Sequence, residues 1–351
     1  MKHIKIVTYC TWTSIGSILQ TFGLKSSLAE QGYDSVVLLD KHENEFVSTK
    51  VKSIKSLLSR AFQELIRGKR KSAYRKRMDF IHRAIDVDIY DDYSNLCEKI
   101  LNDSADVYLA GSDQIWHPDH CNPVFFLDFV KNQKRISYAA SMGKTVIAPD
   151  KMERFKDLVS NFDCLSVRER HCAEVIGAFT DKDISVNIDP TFLIDVHQWR
   201  QLEKEYIIKN PYILLYMIYW HPSCKNQIKE LKKKTGLPVY AISSGLSRVY
   251  ADKYLFDVGV EEFLWLVDHA EYVVTSSFHG AALSTIFNKK FAAVINPASP
   301  SRIENLLTAL SLPLVDIADL AETTRFDYQT VNRRIREEKE KSIHYLKKAI
   351  E

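Results

Sequence analysis

Tyr272-Val273-Val274-Thr275-Ser276-Ser277-Phe278-His279-Gly280-Ala281-Ala282 reads as a buried strand, a polar turn and the start of a helix. The β-branched run up to Thr275 suits a strand covered on both faces, and the small polar residues after it end the run. A helix is expected from about His279, with Ser277 as its N-cap. The first backbone N–H groups of such a helix remain free to bind a phosphate or carboxylate. A histidine held beside that anion is favoured in its protonated form and can donate a proton. The plainer reading is a helix cap with a histidine packed on it.

Outward from this stretch the same alternation recurs. Apolar runs at Ile4–Tyr9, Val36–Leu39, Val107–Ala110, Ile136–Ala139, Leu165–Arg168, Tyr212–Ile218, Val239–Ser243 and Phe291–Ile295 are separated by segments of helical spacing, such as Ile18, Leu19, Phe22 and Leu28. Strands alternating with helices predict α/β architecture with parallel sheets. At 351 residues the chain is long for one such sheet. Two doubly wound, Rossmann-like domains facing a cleft are expected. The first spans residues 1–205 and the second 206–325, with the break near Trp199–Pro211, where Asn210-Pro211 launches a fresh strand. Residues 51–103 carry Leu57, Leu58, Phe62, Leu65, Tyr93, Leu96 and Ile100 at helical spacing and are expected to be a helical insertion without strands. The charged segment 326–351 is expected to be a helix that packs back on the first domain.

Composition narrows the function classes. Hydrophobic residues make up 46% and charged residues 26%, as in soluble globular proteins, and no apolar run is long enough to span a membrane. A net charge of +3 is too small to argue for nucleic acid. The six cysteines include no Cys-x-x-Cys pair, so reduced thiols are expected rather than a zinc site or disulfide framework. With no signal-peptide core after Met1-Lys2-His3, a cytoplasmic location is expected. Charge is uneven, however. Between Arg60 and Arg83 stand nine Lys or Arg against Glu64 and Asp79, interleaved with Phe62, Leu65, Ile66, Tyr74, Met78 and Phe80. Such a segment suits an anionic membrane surface, or is simply a solvated face.

Candidate site residues lie where expected strands end, because open α/β sheets bind ligands beyond their carboxyl edges. Gly111-Ser112-Asp113-Gln114 follows one strand, and Ser141-Met142-Gly143 follows another. Arg168 ends a third and offers a planar fork for carboxylate or phosphate. Asp189 closes the first domain, and Gly16 and Ser17 open the first helix. No Gly-x-Gly-x-x-Gly, Walker loop or His-Glu-x-x-His is present.

The ordered blocks Gly111–Trp116, Ser137–Gly143, Ser166–Glu169, Asp189-Pro190-Thr191, Glu262-Phe263-Leu264, Tyr272–Gly280, Phe287–Phe291 and Arg302–Leu307 resemble those of the polysaccharide pyruvyl transferase family. The resemblance runs from about residue 4 to about residue 315. Where many members carry Asn-Tyr-Gly before the first helix, this chain has Ser14-Ile15-Gly16. The resemblance implies a fold similar to GT-B glycosyltransferases. It also implies transfer of a pyruvyl group from phosphoenolpyruvate to two hydroxyls of a sugar in a bacterial surface polysaccharide precursor, giving a cyclic ketal.

Under that implication His279 is the general acid, and Arg168, Ser276, Ser277, Phe278, Gly280, Lys290 and Arg302 hold phosphoenolpyruvate. Asp113, or Asp189 in its place, orients the acceptor hydroxyl, although Asp113 equally suits a helix cap. Gly16, Ser17, Gly111, Ser112, Gln114, Ser141, Gly143 and Asp189 line the acceptor side or cleft. The chemistry calls for no metal and no cofactor. A lipid-linked acceptor would give the Arg60–Arg83 segment a reason to meet the inner face of a membrane. Two other classes compete: a GT-B-type glycosyltransferase using a nucleotide sugar in the same cleft, and a non-catalytic glycan-binding protein of the same fold.

Overall fold

A computed structural model describes residues 1–46, 57–101, 103–209, 211–242, 250–297 and 301–351. The first sheet contains β1 (His3–Val7), β2 (Asp34–Asp40), β3 (Val87–Tyr90), β4 (Val107–Ala110) and β5 (Lys134–Ser137). All are parallel, in the order β3-β2-β1-β4-β5. The pair β6 (Leu165–Val167) and β7 (Ile184–Val186) continues alongside β5 through the bridges Ile136–Cys164 and Ala140–Val167. The second sheet contains β8 (Ile213–Tyr216), β9 (Val239–Ile242), β10 (Lys253–Leu255), β11 (Tyr272–Thr275) and β12 (Lys290–Ala293). It repeats the same winding, β10-β9-β8-β11-β12.

Eleven helices accompany the strands among the described residues: α1 (Ile15–Glu30), α2 (Leu57–Ala84), α3 (Tyr93–Leu101), α4 (Pro149–Ser160), α5 (Arg170–Gly177), α6 (Val196–Gln201), α7 (Cys224–Thr235), α8 (Val260–Asp268), α9 (Phe278–Ile286), α10 (Ser301–Leu310) and α11 (Tyr328–Ile350). The architecture is α/β with two doubly wound parallel sheets, as the apolar runs predict. All four residues of β4 are buried, which is why the strand reads as continuous apolar sequence rather than as alternation. In each sheet the winding reverses beside the first strand, between β1 and β4 and between β8 and β11. Such switch points open a crevice beyond the carboxyl ends. The division at residue 205/206 is retained as our proposal for the domain boundary.

The 51–103 segment differs from expectation. It holds two helices, α2 and α3, and between them β3, which pairs with β2 from Val37–Val87 to Asp40–Tyr90. This edge strand is half-exposed, so it lacks the buried apolar run that marks the central strands. Residues 51–56 of the expected insertion lie outside the described residues, as do Asn210 and Ser243.

Part of the basic charge on α2 is paired within the chain. Lys76 pairs with Glu262 at 2.7 Å, and Arg83 pairs with Glu261 at 2.9 Å. Arg77 donates to the carbonyls of Trp12 and Val258, which lie in the two halves of the chain. Helix α11 also touches both halves. Its Tyr328 hydroxyl donates to the Lys289 carbonyl, while Ser342 Oγ accepts from Ile188 N at 3.1 Å and Tyr345 donates to the Ser137 carbonyl at 2.8 Å.

Near the crossover between the halves, Arg200 holds Asp268 through two hydrogen bonds of 2.7 and 3.2 Å, and Glu203 lies between Asp268 and His269. Burial, then the neighbouring Asp268 charge, pushes the Glu203 carboxyl up to about 7. A carboxyl raised in the folded state favours folding only while protonated. Wild-type stability should therefore fall as pH rises from about 4.3, the unfolded value, through about 7. Glu203→Gln should remove that slope and be more stable at pH 8 by about 1–2 kcal/mol, after discounting for solvent screening. Melting curves at pH 5 and 8 check this, and an unchanged slope in the variant counts against it.

Candidate active site

Five strand ends supply the polar residues, and the order of the strands decides which of them meet. After β7, Asp189 is fully buried, with Oδ1 accepting from Thr191 N at 3.0 Å and Thr191 Oγ1 at 2.8 Å. Its Oδ2 accepts from Arg168 Nη1 at 2.7 Å and from Ser112 Oγ at 3.3 Å. The same oxygen lies 3.6 Å from His279 Nε2. Burial alone would raise the Asp189 carboxyl, but His279, then Arg168 and the Thr191 N–H, hold it well below the usual carboxylate range.

Arg168 emerges from β6 into this cluster. Its Nε reaches Glu169 Oε1 at 3.3 Å, and its guanidinium lies 4.1 Å over the Phe278 ring. Burial opposes its charge, but Glu169 and Asp189 outweigh that and keep it above its ordinary pKa. Glu169 Oε1 also accepts from Ser141 Oγ at 2.6 Å. Two carboxylates thus fix the guanidinium fork on two of its nitrogens. Arg168 Nη2, Glu169 Oε2 and His279 Nε2 are buried polar atoms with no hydrogen-bond partner. Leaving such groups unpaired costs about 1–3 kcal/mol each, so a cluster of them fits a polar ligand.

His279 comes from the second sheet. Helix α9 starts at Phe278, one residue before the expected position, with Ser277 Oγ capping Gly280 N at 3.3 Å. The imidazole is pressed against Gly16 on α1, where an added Cβ would lie 2.2 Å from Nδ1 and 2.6 Å from Cγ. His279 is therefore flanked by two groups of the first sheet's half, Asp189 and Gly16. Arg302, at the start of α10, feels the charges of Arg168, Asp113, Glu169 and Asp189, and burial, then Arg168, lowers its pKa.

The remaining expected residues divide by geometry. Ser112 is buried and bonds Ala139 O and Asp189, so it anchors the cluster. Gly143, at φ +66°, is covered by Gln114, whose Nε2 would be 1.7 Å from an added Cβ. Gly111 and Gly280 are packing glycines, since a Cβ at either would collide with Thr8 or Thr275. Asp113 caps no helix. It has φ +71° and its Oδ1 accepts from Gln114 N at 2.9 Å, in a loop pinned by the buried Trp116 through Nε1 to Phe125 O.

Three expectations need correction. Lys290 pairs with Tyr272 at the amino end of β11, about 10 Å along the strand from the site, because a parallel ladder puts its start there. Ser276 Oγ accepts from Ile218 N and Tyr219 N and so ties down the loop after β8. Ser17 Oγ is taken up within the β1–α1 turn by Ser14 O and Thr11 N. Sequence reasoning passed over Glu169, although it stands beside Arg168 in the same block. It also passed over Tyr216, which ends β8 within electrostatic reach of Arg77 and Asp113.

Among the described residues no helix is long and apolar enough to cross a membrane. None of the curated proteins matches the chain in sequence. Solved structures with the same two-sheet architecture include a putative UDP-N-acetylglucosamine 2-epimerase from Listeria monocytogenes, at 10% identity and TM-score 0.52 over 95% of this chain and 90% of that one. A UDP-GlcNAc 2-epimerase from Neisseria meningitidis is 12% identical, with TM-score 0.51 over 99% and 94%. SsfS6, a Streptomyces sp. SF2575 glycosyltransferase, is 14% identical, with TM-score 0.45 over 97% and 96%. At these identities the likeness to the two epimerases concerns the fold alone. Sequence similarity goes further: residues 15–297, which contain all five of these strand ends, match the family described as Polysaccharide pyruvyl transferase, and the chain belongs to that family.

Proposed function

We propose that the protein transfers the pyruvyl group of phosphoenolpyruvate to two hydroxyls of a sugar in a polysaccharide precursor, forming a cyclic ketal. The observation that carries this reading is the buried set Arg168, Asp189 and His279, in which Arg168 Nη2 lacks a partner and His279 Nε2 faces Asp189. Phosphoenolpyruvate carries a carboxylate and a phosphate. Arg168 Nη2 takes one of them, and Arg302 with the start of α9 at Phe278 takes the other, since the N–H groups of Ser277 and Gly280 are held by Thr275 Oγ1 and Ser277 Oγ. The His279 imidazolium protonates the methylene carbon, and the resulting oxocarbenium-like centre is attacked by the first sugar hydroxyl, whose proton returns to the now neutral imidazole. Asp113 orients that hydroxyl from a backbone conformation that only a well-braced loop holds. Phosphate then leaves with the proton of the second hydroxyl as the ring closes.

The test is release of phosphate from phosphoenolpyruvate together with transfer of isotopically labelled pyruvyl to a glycan acceptor. Phosphoenolpyruvate at ~100 times its Kd should stabilise the protein by about 2.7 kcal/mol. Stabilisation only by a nucleotide sugar would replace this reading with glycosyl transfer.

A lipid-linked acceptor would place the enzyme against anionic lipid, and the α2 segment supports that contact. Lys76, Arg77 and Arg83 are engaged internally, but Arg67, Lys71 and Arg75 are exposed beside the exposed Leu65. Each basic residue near an anionic surface contributes about 1 kcal/mol, so charge reversal at these three should weaken vesicle binding at least ~100-fold at low salt. Failure of the wild-type protein to co-sediment with anionic vesicles at low salt would remove the membrane contact and leave the chemistry untouched.

A further inference from the structure

Resting on the reading above, we propose that Asp189 is the positioning residue of His279 and that Nδ1, beside Gly16, is the nitrogen that delivers the proton. The imidazole has its two nitrogens in different surroundings. Nε2 lies 3.6 Å from Asp189 Oδ2, a fully buried oxygen already anchored by Arg168 and Ser112. Nδ1 lies against Gly16, at a spot where any side chain would intrude to 2.2 Å.

The carboxylate cannot swing toward the ligand, because Thr191 holds its other oxygen through both backbone N–H and hydroxyl. An N–H on Nε2 is therefore drawn to Asp189, which fixes the ring plane. Proton delivery falls to the opposite nitrogen. The Nδ1–H bond breaks as a C–H bond forms at the methylene carbon of phosphoenolpyruvate, using the π electrons of its double bond. The ring is left neutral, with Nε2–H still facing an ionised Asp189. Gly16 is required on this account because a side chain there would lie 2.2 Å from Nδ1 and push the ring off Asp189. Asp189 and Gly16 belong to the first sheet's half and His279 to the second, so the acid is set only when the halves are apposed.

Asp189→Asn keeps the shape and removes the charge. Arg168 and Glu169 after β6, Arg302 on α10 and Asp113 after β4 remain in place as the other charged groups of the cluster. The variant should bind phosphoenolpyruvate at least as tightly as wild type, since a negative charge is lost beside an anion. Its kcat should fall about 100-fold or more. Its KM for phosphoenolpyruvate should not rise, a split between kcat and KM that a merely structural role would not produce. Gly16→Ala should lower kcat at least ~10-fold, with phosphoenolpyruvate binding retained. Should Asp189→Asn fail to fold, Gly16→Ala carries the test alone. Near-wild-type kcat in Asp189→Asn, or wild-type kcat in Gly16→Ala, overturns the assignment. A wild-type protein that neither binds nor consumes phosphoenolpyruvate overturns the proposed reaction instead.

Discussion

His279→Asn should fold, retain phosphoenolpyruvate binding and transfer pyruvyl groups about 10²–10⁴ times more slowly than wild type. Asparagine keeps a polar group near Asp189 Oδ2 and spares Gly16 any new contact, so the scaffold loses little. What it removes is the acidic proton. Enolpyruvyl carbon is a weak base, and without a positioned acid its protonation falls to water, which the buried setting of His279 largely keeps out. Binding survives because Arg168, Arg302 and the start of α9 are untouched. Initial rates of phosphate release, with labelled transfer as the second readout, check the prediction. Activity within threefold of wild type would show that the acid lies elsewhere.

Arg168→Met should cost about 3–5 kcal/mol of stability at neutral pH and abolish phosphoenolpyruvate binding. The methionine stem preserves packing against Phe278, over which the guanidinium lies. The charge, however, is the counter-ion of two carboxylates whose side chains are 0% and 4% exposed. Removing it leaves both in low dielectric without their bridge. Sign and pH dependence follow from Asp189, whose pKa is depressed in the folded state although burial alone would raise it. Its contribution is fully present above about pH 4 and is lost as pH falls through the folded value. The deficit of the variant is therefore largest at neutral pH and narrows on acidification. Arg168→Lys should recover only part of the loss, since a single ammonium cannot bridge Asp189 and Glu169 as a fork does. Denaturant titrations at pH 7 and at about pH 2 separate these outcomes, and a neutral-pH deficit below about 1 kcal/mol would mean the ion pair is not the anchor of the site.

Legibility of the site from sequence followed local structure closely. The strand Tyr272–Thr275, the Ser277 cap and the small-residue turns after β4 and β5 are written in neighbouring residues, so their chemistry is visible before folding. Ser276 and Ser277 look alike in sequence, yet one holds the loop after β8 and the other caps α9, which depends on where β8 ends. Lys290 looked like an anion ligand because it follows the His279 block closely. A parallel strand must return to the starting edge of its sheet, and that geometry removes Lys290 from the site.

What the sequence determined alone is the class and winding of the fold: nearly continuous apolar strands, helices between them, and polar residues at the strand ends where parallel sheets expose backbone. The short strands β7 and β10 and the edge strand β3 have too few buried residues to leave a pattern, and only their ladder partners make them strands. Tertiary structure alone decided that Asp189 and Gly16 from one half flank His279 from the other. No spacing along the chain encodes a contact across 90 residues or more. It arises because two sheets, each polar at its carboxyl edge, bring those edges together.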